Sequence, residues 1–336
     1  MKKLITIILT FILVGTLVGC NQSKNTEEKN SDKKTDLEKI TVVLDWTPNT
    51  NHTGLYVALA NGYFEEEGLD VTLVQPPDGG ADSLVASGEA QFGISFQDSL
   101  APAFTADETL PVTAVAAILQ HNTSGIISLK EDGISSPKGM ENKVYATWES
   151  PVEQAMIKNV VEADNGDYSK VELLPTYVTD VVSGLQTDVD AVWIFYGWDG
   201  IATELAGLDT NYFYFKDINP VFDYYSPVII GNNEYLKSNK NESEAFLRAC
   251  KKGYEYAIAN PDESAKILVD QVPELDIKLI TASQEWLSSQ YQAEASSWGV
   301  IDEERWDNFY QWLYDNKLIE KEIPEGYGFS NDYLEQ

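Results

Sequence analysis

Cysteine is nearly missing from this 336-residue chain, which has Cys20 and Cys250 alone, and histidine is as scarce, at His52 and His121. So few thiolate and imidazole ligands argue against a zinc site, and no CxxC pair is present. Basic residues are also few: 23 Lys and Arg stand against 54 Asp and Glu, a formal charge of −31. A surface of that sign repels nucleic acid and anionic lipid, and it argues against an anionic ligand unless a local basic pocket receives one. Also lacking are a phosphate loop, a G-x-S-x-G nucleophile elbow and an internal repeat. What remains is an acidic chain long enough for two α/β lobes.

The start of the chain belongs to no core. Lys2-Lys3, the apolar run Leu4 to Val14 and Leu17-Val18-Gly19-Cys20 have the layout of a lipoprotein signal over residues 1–19, with Cys20 as the lipidated first residue of the mature chain. The apolar run is short of the roughly 18 residues a membrane span needs. Residues 20–39 alternate Lys with Glu and Asp and carry almost no apolar side chain, which predicts a flexible tether. The expected location is the extracytoplasmic face of the cell membrane, anchored by lipid. With Cys20 lipidated, Cys250 has no disulfide partner and is expected to pack inside a helix.

The folded part opens on Ile40-Thr41-Val42-Val43-Leu44, a β-branched strand, followed by the polar loop Asp45 to Gly54. Leu55, Tyr56, Leu59, Ala60 and Tyr63 then recur at helical spacing, and Gly68 ends the helix before the strand Leu69 to Val74. This is a β-loop-α-β unit, and in parallel sheets ligands sit beyond the carboxyl ends of strands. Asp45, Trp46, Asn49, Asn51 and His52, with Tyr56 on the helix, are therefore candidate ligand contacts. Loops rich in Asx and Thr also cap helices with no ligand present.

Other strand ends repeat the pattern. Gln97 follows the strand Ala90 to Ile94, and Gln120 and Thr123 lie between strands at Val112 to Leu119 and Gly125 to Leu129. The strand Lys143 to Thr147 ends in Trp148-Glu149-Ser150-Pro151, where Ser150 suits an N-cap and Pro151 a first helical position. Trp148, Glu149 and Ser150 join the candidates. The strand Val189 to Ile194 runs into Phe195-Tyr196-Gly197-Trp198-Asp199. Dense aromatics are usually core, but at a strand end Trp193, Phe195, Tyr196 and Trp198 are expected to form a stacking wall, with Asp199 accepting from a ligand amine. Trp286, Trp298, Trp306 and Trp312 fall on helical faces and are expected in the core, and Tyr327 onward reads as a tail.

The run Leu44-Asp45-Trp46-Thr47-Pro48-Asn49-Thr50-Asn51-His52-Thr53-Gly54-Leu55-Tyr56, with Ala60-Asn61-Gly62-Tyr63-Phe64 and Glu67-Gly68-Leu69-Asp70-Val71 behind it, resembles one family. That family joins the pyrimidine-precursor-binding proteins of thiamin-salvage importers to the eukaryotic hydroxymethylpyrimidine phosphate synthases. The resemblance implies a type II periplasmic-binding-protein fold: two α/β lobes with a ligand cleft between them. Lobe 1 is expected at residues 40–129 and 228–336 and lobe 2 at 130–227, with Gly125 to Leu129 and Ser226 to Ile230 crossing between them as a hinge. It implies an extracytoplasmic solute-binding lipoprotein of an ABC importer, working with a permease and an ATPase and capturing a thiamin pyrimidine precursor or similar heterocycle. Riboflavin and sulfonate binders look similar over the same stretch, so the ligand stays open.

The synthases resembled carry a lysine and a histidine where this chain has Ser95 and Ser99, and a cysteine-rich cluster that it lacks. Their Gly-Glu-Phe-Gly phosphate loop corresponds here to Thr147-Trp148-Glu149-Ser150. Without a lysine to hold an aldehyde cofactor or a histidine to be consumed, the resemblance implies a binding protein with no cofactor, rather than an enzyme. A surface adhesin would not need aromatic and carboxylate groups gathered at strand ends.

Overall fold

Short β-branched runs pair into two five-stranded sheets in the computed structural model, which describes residues 37–77 and 80–334. The signal at 1–19, Cys20 and most of the 20–39 tether lie outside those residues. In chain order the strands are β1 (Glu38–Val43), β2 (Leu69–Val74), β3 (Phe92–Ser95), β4 (Val112–Ala117), β5 (Ser124–Leu129), β6 (Val144–Thr147), β7 (Glu172–Pro175), β8 (Ala191–Phe195), β9 (Thr210–Tyr214) and β10 (Val228–Asn232).

The first sheet runs β2-β1-β3-β10-β4 and the second β7-β6-β8-β5-β9. In each, the first three strands are parallel and the fourth is antiparallel to both neighbours. The sequence holds no repeat, yet the topology is used twice. Because parallel strands are covered by helices on both faces, successive residues such as Val42 and Val43 of β1 are both buried, one in each of two core clusters.

Two expectations about the lobes need correction. β5 was expected at the end of lobe 1, but it pairs with β8 and β9 in the second sheet. Neither β5 nor β10 crosses between sheets; the passages are residues 118–123 and 223–227. An apolar strand buried on both faces carries no mark of which sheet it joins, and only pairing decides. The strand expected from Ser226 begins at Val228, and Tyr224, ahead of it, stacks on Phe309 with ring centroids 4.1 Å apart.

The helices Lys240–Ala259, Pro261–Gln271, Ile277–Ser288 and Glu303–Asp315 follow β10. Phe246, Leu247, Cys250 and Tyr254 bury one face of the first of these against Leu55 and Ala58 of the helix Thr53–Ala60 and the strands beneath. Two glycines permit that approach: a Cβ on Gly253 would lie 2.0 Å from the Gly54 carbonyl oxygen, and one on Gly54 would lie 2.3 Å from the Tyr254 ring. Cys250 is buried in the helix, as expected. Trp298 and Trp306 are core, whereas Trp286 and Trp312 are half-buried. The last segment is not a loose tail. Ala114 exchanges backbone hydrogen bonds with Gly328 and Ser330, so Phe329 lies along the edge of β4. Among the described residues no helix is long and apolar enough to cross a membrane.

Candidate ligand-binding site

The loop after β1 is held by hydrogen bonds made by its own side chains. Asn49 caps the single turn Thr50–His52 by accepting from the Asn51 N–H, and the Asn49 N–H donates to His52 Nδ1 at 3.2 Å. A ring nitrogen that accepts carries no proton, so the imidazole proton is on Nε2, where it donates to Asp45 Oδ1 at 2.6 Å. His52 is wholly buried, and its task is to aim Asp45. From behind, Tyr254 and Tyr291 donate to the carbonyls of Asn51 and Thr50 at 2.7 and 2.6 Å. The Ser283 hydroxyl donates to the Gly197 carbonyl and so accepts from Thr50 Oγ1 at 2.6 Å, which joins this loop to the single π-helical turn Tyr196–Gly200 after β8.

The loop after β6 uses a carboxylate for the same purpose. Glu153, in the first turn of the helix Pro151–Ala163, accepts from Tyr145 O–H at 2.6 Å, Thr147 O–H at 2.9 Å, Trp148 N–H at 3.1 Å and Ser150 N–H at 3.3 Å. Ser150 completes the capping box. Glu149 takes a left-handed conformation, φ 62°, and its N–H donates to Thr147 Oγ1.

Between the sheets is a cavity of about 470 Å3, within the range of small-molecule sites. The first lobe contributes Asp45, Trp46, Asn49, Asn51, Phe96 and Asp98, and the second Trp148, Tyr177, Trp193, Phe195, Trp198 and Asp199. Trp46, Trp148 and Tyr177 are 54%, 41% and 60% exposed, unusual for rings of that size in a folded chain. The Tyr177 centroid is 6.4 Å from that of Trp46 and 6.5 Å from that of Trp148, and Trp148 leans on Trp193 at 5.3 Å. Trp193 Nε1 and Ser226 Oγ, both on lining residues, are buried without a hydrogen-bond partner among the described residues.

Every charged side chain among the lining residues is an acid. Burial pushes the Asp98 carboxyl up to about 6, helped by the nearby Asp82, against hydrogen bonds from the Asp98 and Ser99 amides. Burial likewise pushes Asp199 up to about 6, helped by Asp180. A second hollow, of about 550 Å3, lies by the Pro220–Phe222 turn and the helix Glu303–Asp315 and includes Arg305, but none of the candidate contacts reaches it.

Of the expected contacts, Asp45, Trp46, Asn49, Asn51, Trp148, Trp193, Phe195, Trp198 and Asp199 meet at the cavity, and eight others do not. His52 is spent on Asp45. Tyr56 packs beside Leu268 and Ile280. Gln97 is buried, donating to the Trp306 carbonyl and accepting from the Tyr225 N–H. Gln120 donates to the Val300 carbonyl, and Thr123 is buried with its carbonyl taken by Tyr212 O–H. Glu149 is exposed outside the cavity and Ser150 caps its helix. Tyr196 donates to Glu204 and packs on Tyr212 and Trp286. Asp98 and Tyr177 were missed. Asp98 is in the strand-end cluster already singled out, one residue from Gln97, and a helix turns about 100° per residue, so only one of the two faces the cleft. Tyr177 follows the end of β7, where the strand-end rule applies equally.

The comparisons with known proteins agree with this geometry. The family model described as NMT1/THI5 like matches residues 49–264. The formylaminopyrimidine-binding protein of Halalkalibacterium halodurans is 31% identical over 98% of both chains. A 4-amino-5-hydroxymethyl-2-methylpyrimidine phosphate synthase of Saccharomyces cerevisiae is 25% identical over 71% of this chain and 73% of its own. Among solved structures, the alkanesulfonate-binding protein SsuA of Xanthomonas axonopodis pv. citri, bound to MOPS, matches at TM-score 0.66 and 12% identity over 88% of this chain and 99% of its own. The desulfurization enzyme DSZB matches at TM-score 0.63 and 11% identity over 88% and 97%. Such distant likenesses establish the periplasmic-binding-protein fold and nothing about chemistry. With a two-lobed α/β fold, a cleft at the strand ends and a family model spanning most of the folded part, the chain belongs to the NMT1/THI5-like family.

Proposed function

We propose that this protein is the substrate-binding component of an ABC importer and that it captures an aminopyrimidine, as the name of its Halalkalibacterium relative states for that protein. One observation carries the choice of ligand: the cavity offers exposed Trp46, Trp148 and Tyr177 rings while every charge on its wall is negative. A flat ring stacks on those faces. Its amine donates to Asp199 and Asp98, while Asn49 and Asn51 meet ring nitrogens. Trp193 Nε1–H and Ser226 Oγ are left for an acceptor on the ligand. A sulfonate would enter an acidic pocket with no cation among its lining residues. The chain acts as a binder and not an enzyme: Ser95 and Ser99 hydrogen-bond each other at 3.3 Å and offer neither an amine nor an imidazole. Lipid on Cys20 holds it at the extracytoplasmic face, beside the permease and ATPase.

Calorimetry against a formylaminopyrimidine, thiamin, riboflavin and an alkanesulfonate tests this reading. The formylaminopyrimidine should bind tightest. Asp199→Asn should then weaken it at least about tenfold, the cost of leaving the ligand's donor without its charged acceptor in a closed cleft, while the exposed control Glu303→Gln should not. Tight binding of the alkanesulfonate with none of the pyrimidine would overturn it.

A further inference from the structure

The four groups that point at Glu153 come from three places: strand β6, the loop after it and the N-cap of the next helix. Two are backbone N–H groups, that of Trp148 in the loop and that of the N-cap Ser150, just ahead of a helix start whose dipole favours an anion. That anion is already present. Glu153 is 2% exposed, no Lys or Arg among the described residues hydrogen-bonds it, and its two oxygens are satisfied by these N–H and O–H donors. The arrangement lies one residue behind the cavity wall, because Trp148 supplies both an N–H to Glu153 and a ring to the cavity.

We propose that Glu153 is a specificity-determining residue of the cleft. Its carboxylate takes the donors that the Trp148 loop and the helix start would otherwise offer to a phosphate or sulfonate, and the Trp148 loop is left to receive only the uncharged aromatic part of a ligand. Two effects add. The donors are occupied, and a ligand anion brought to this wall would meet a like charge in a medium where charges are poorly screened. The same bonds fix the Trp148 backbone, so Glu153 is also a positioning residue for the stacking ring. The proposal rests on the ligand cavity described above but needs no assumption about which heterocycle fills it.

The test uses the full-length protein, inorganic phosphate, and a pair of probes that differ by one group, an aminopyrimidine alcohol and its phosphate monoester. The parent should prefer the alcohol by roughly a hundredfold, as expected where a phosphate finds no donors and a nearby like charge, and its tryptophan fluorescence should not respond to phosphate. Glu153→Ala and Glu153→Gln, each checked for folding by circular dichroism and melting, should reduce that preference to within about tenfold. In Glu153→Ala, millimolar phosphate should also perturb the Trp148 emission, and the further change Trp148→Phe should abolish that signal. Folded variants that keep the parent's preference and ignore phosphate would overturn the inference. If neither pyrimidine binds the parent, the proposed ligand class fails, but the phosphate titration of the variants still decides the role of Glu153.

Discussion

The loops after β1 and β6 leave topologically equivalent strands, each second in its sheet with parallel neighbours on both sides. Each loop must satisfy backbone donors at a buried turn. The first does so with a neutral imidazole, which leaves the Asp45 carboxylate for the cleft. The second does so with the Glu153 carboxylate itself, which leaves the Trp148 ring. Topology decides where the loop comes to lie, and the residue chosen to satisfy its donors decides what is left over to meet a ligand. The loop after β1 therefore presents charge and amides beside Trp46, where the loop after β6 presents an aromatic ring.

The comparison breaks most visibly in stability. Glu153→Ala orphans four donors where His52→Ala orphans one donor and one acceptor, and each buried unsatisfied group costs about 1–3 kcal/mol before relaxation. Urea unfolding should show a loss of about 3–4 kcal/mol for Glu153→Ala and about 2 for His52→Ala. Equal losses would mean that the two loops are braced alike.

A smaller effect sharpens the contrast between Asp98 on the first lobe and Asp199 on the second. Both carboxyls titrate near pH 6 when folded, against 3.8 ordinarily. Between about pH 4 and pH 6 the native chain holds protons that the unfolded chain has released, so stability of the ligand-free protein falls as pH rises through that window, by up to about 2–3 kcal/mol for a single group. Affinity for a basic ligand should rise between about pH 5 and pH 7, as the folded acids ionise. Asp98→Asn should flatten one part of the stability slope, and Asp199→Asn another; parallel melting curves for parent and both variants from pH 4 to 7 would contradict the assignment.

The smallest effect concerns Glu149, whose left-handed backbone costs about 1 kcal/mol relative to glycine. Because its side chain is exposed outside the cavity, Glu149→Gly should stabilise the protein by about 0.5–1 kcal/mol and leave affinity within about twofold. A larger loss of affinity would restore Glu149 as a ligand group.

The alternation of strand, polar loop and helix made the α/β class legible, because each strand end carried its own cluster of polar or aromatic residues. Trp46, Trp148 and Asp199 could be placed at the cleft on that ground alone. What stayed hidden was rotation and partnership. Gln97 and Asp98 are adjacent, and which of them faces the cleft follows from the phase of one helical turn. His52 looked like a ligand group until its two nitrogens were seen bonded within the loop, and Glu153 carried no mark in the sequence, because Tyr145 and Thr147, which point at it, lie on the preceding strand. Sheet membership of β5 depended on pairing with β8 and β9, far along the chain, which no local pattern encodes.

The place of β10 between β3 and β4 has a consequence for how the protein is made. Strands β5 to β9 are contiguous in sequence, so the second sheet has all its members once Tyr214 has left the ribosome. The first sheet, although begun earlier, keeps an open slot between β3 and β4 until Val228–Asn232 arrives to fill it. Domains usually fold in the order of their synthesis; here the half that is translated first is completed last, and a chain cut short after Tyr214 would hold one finished sheet beside one whose edge strand β4 has no neighbour to pair with.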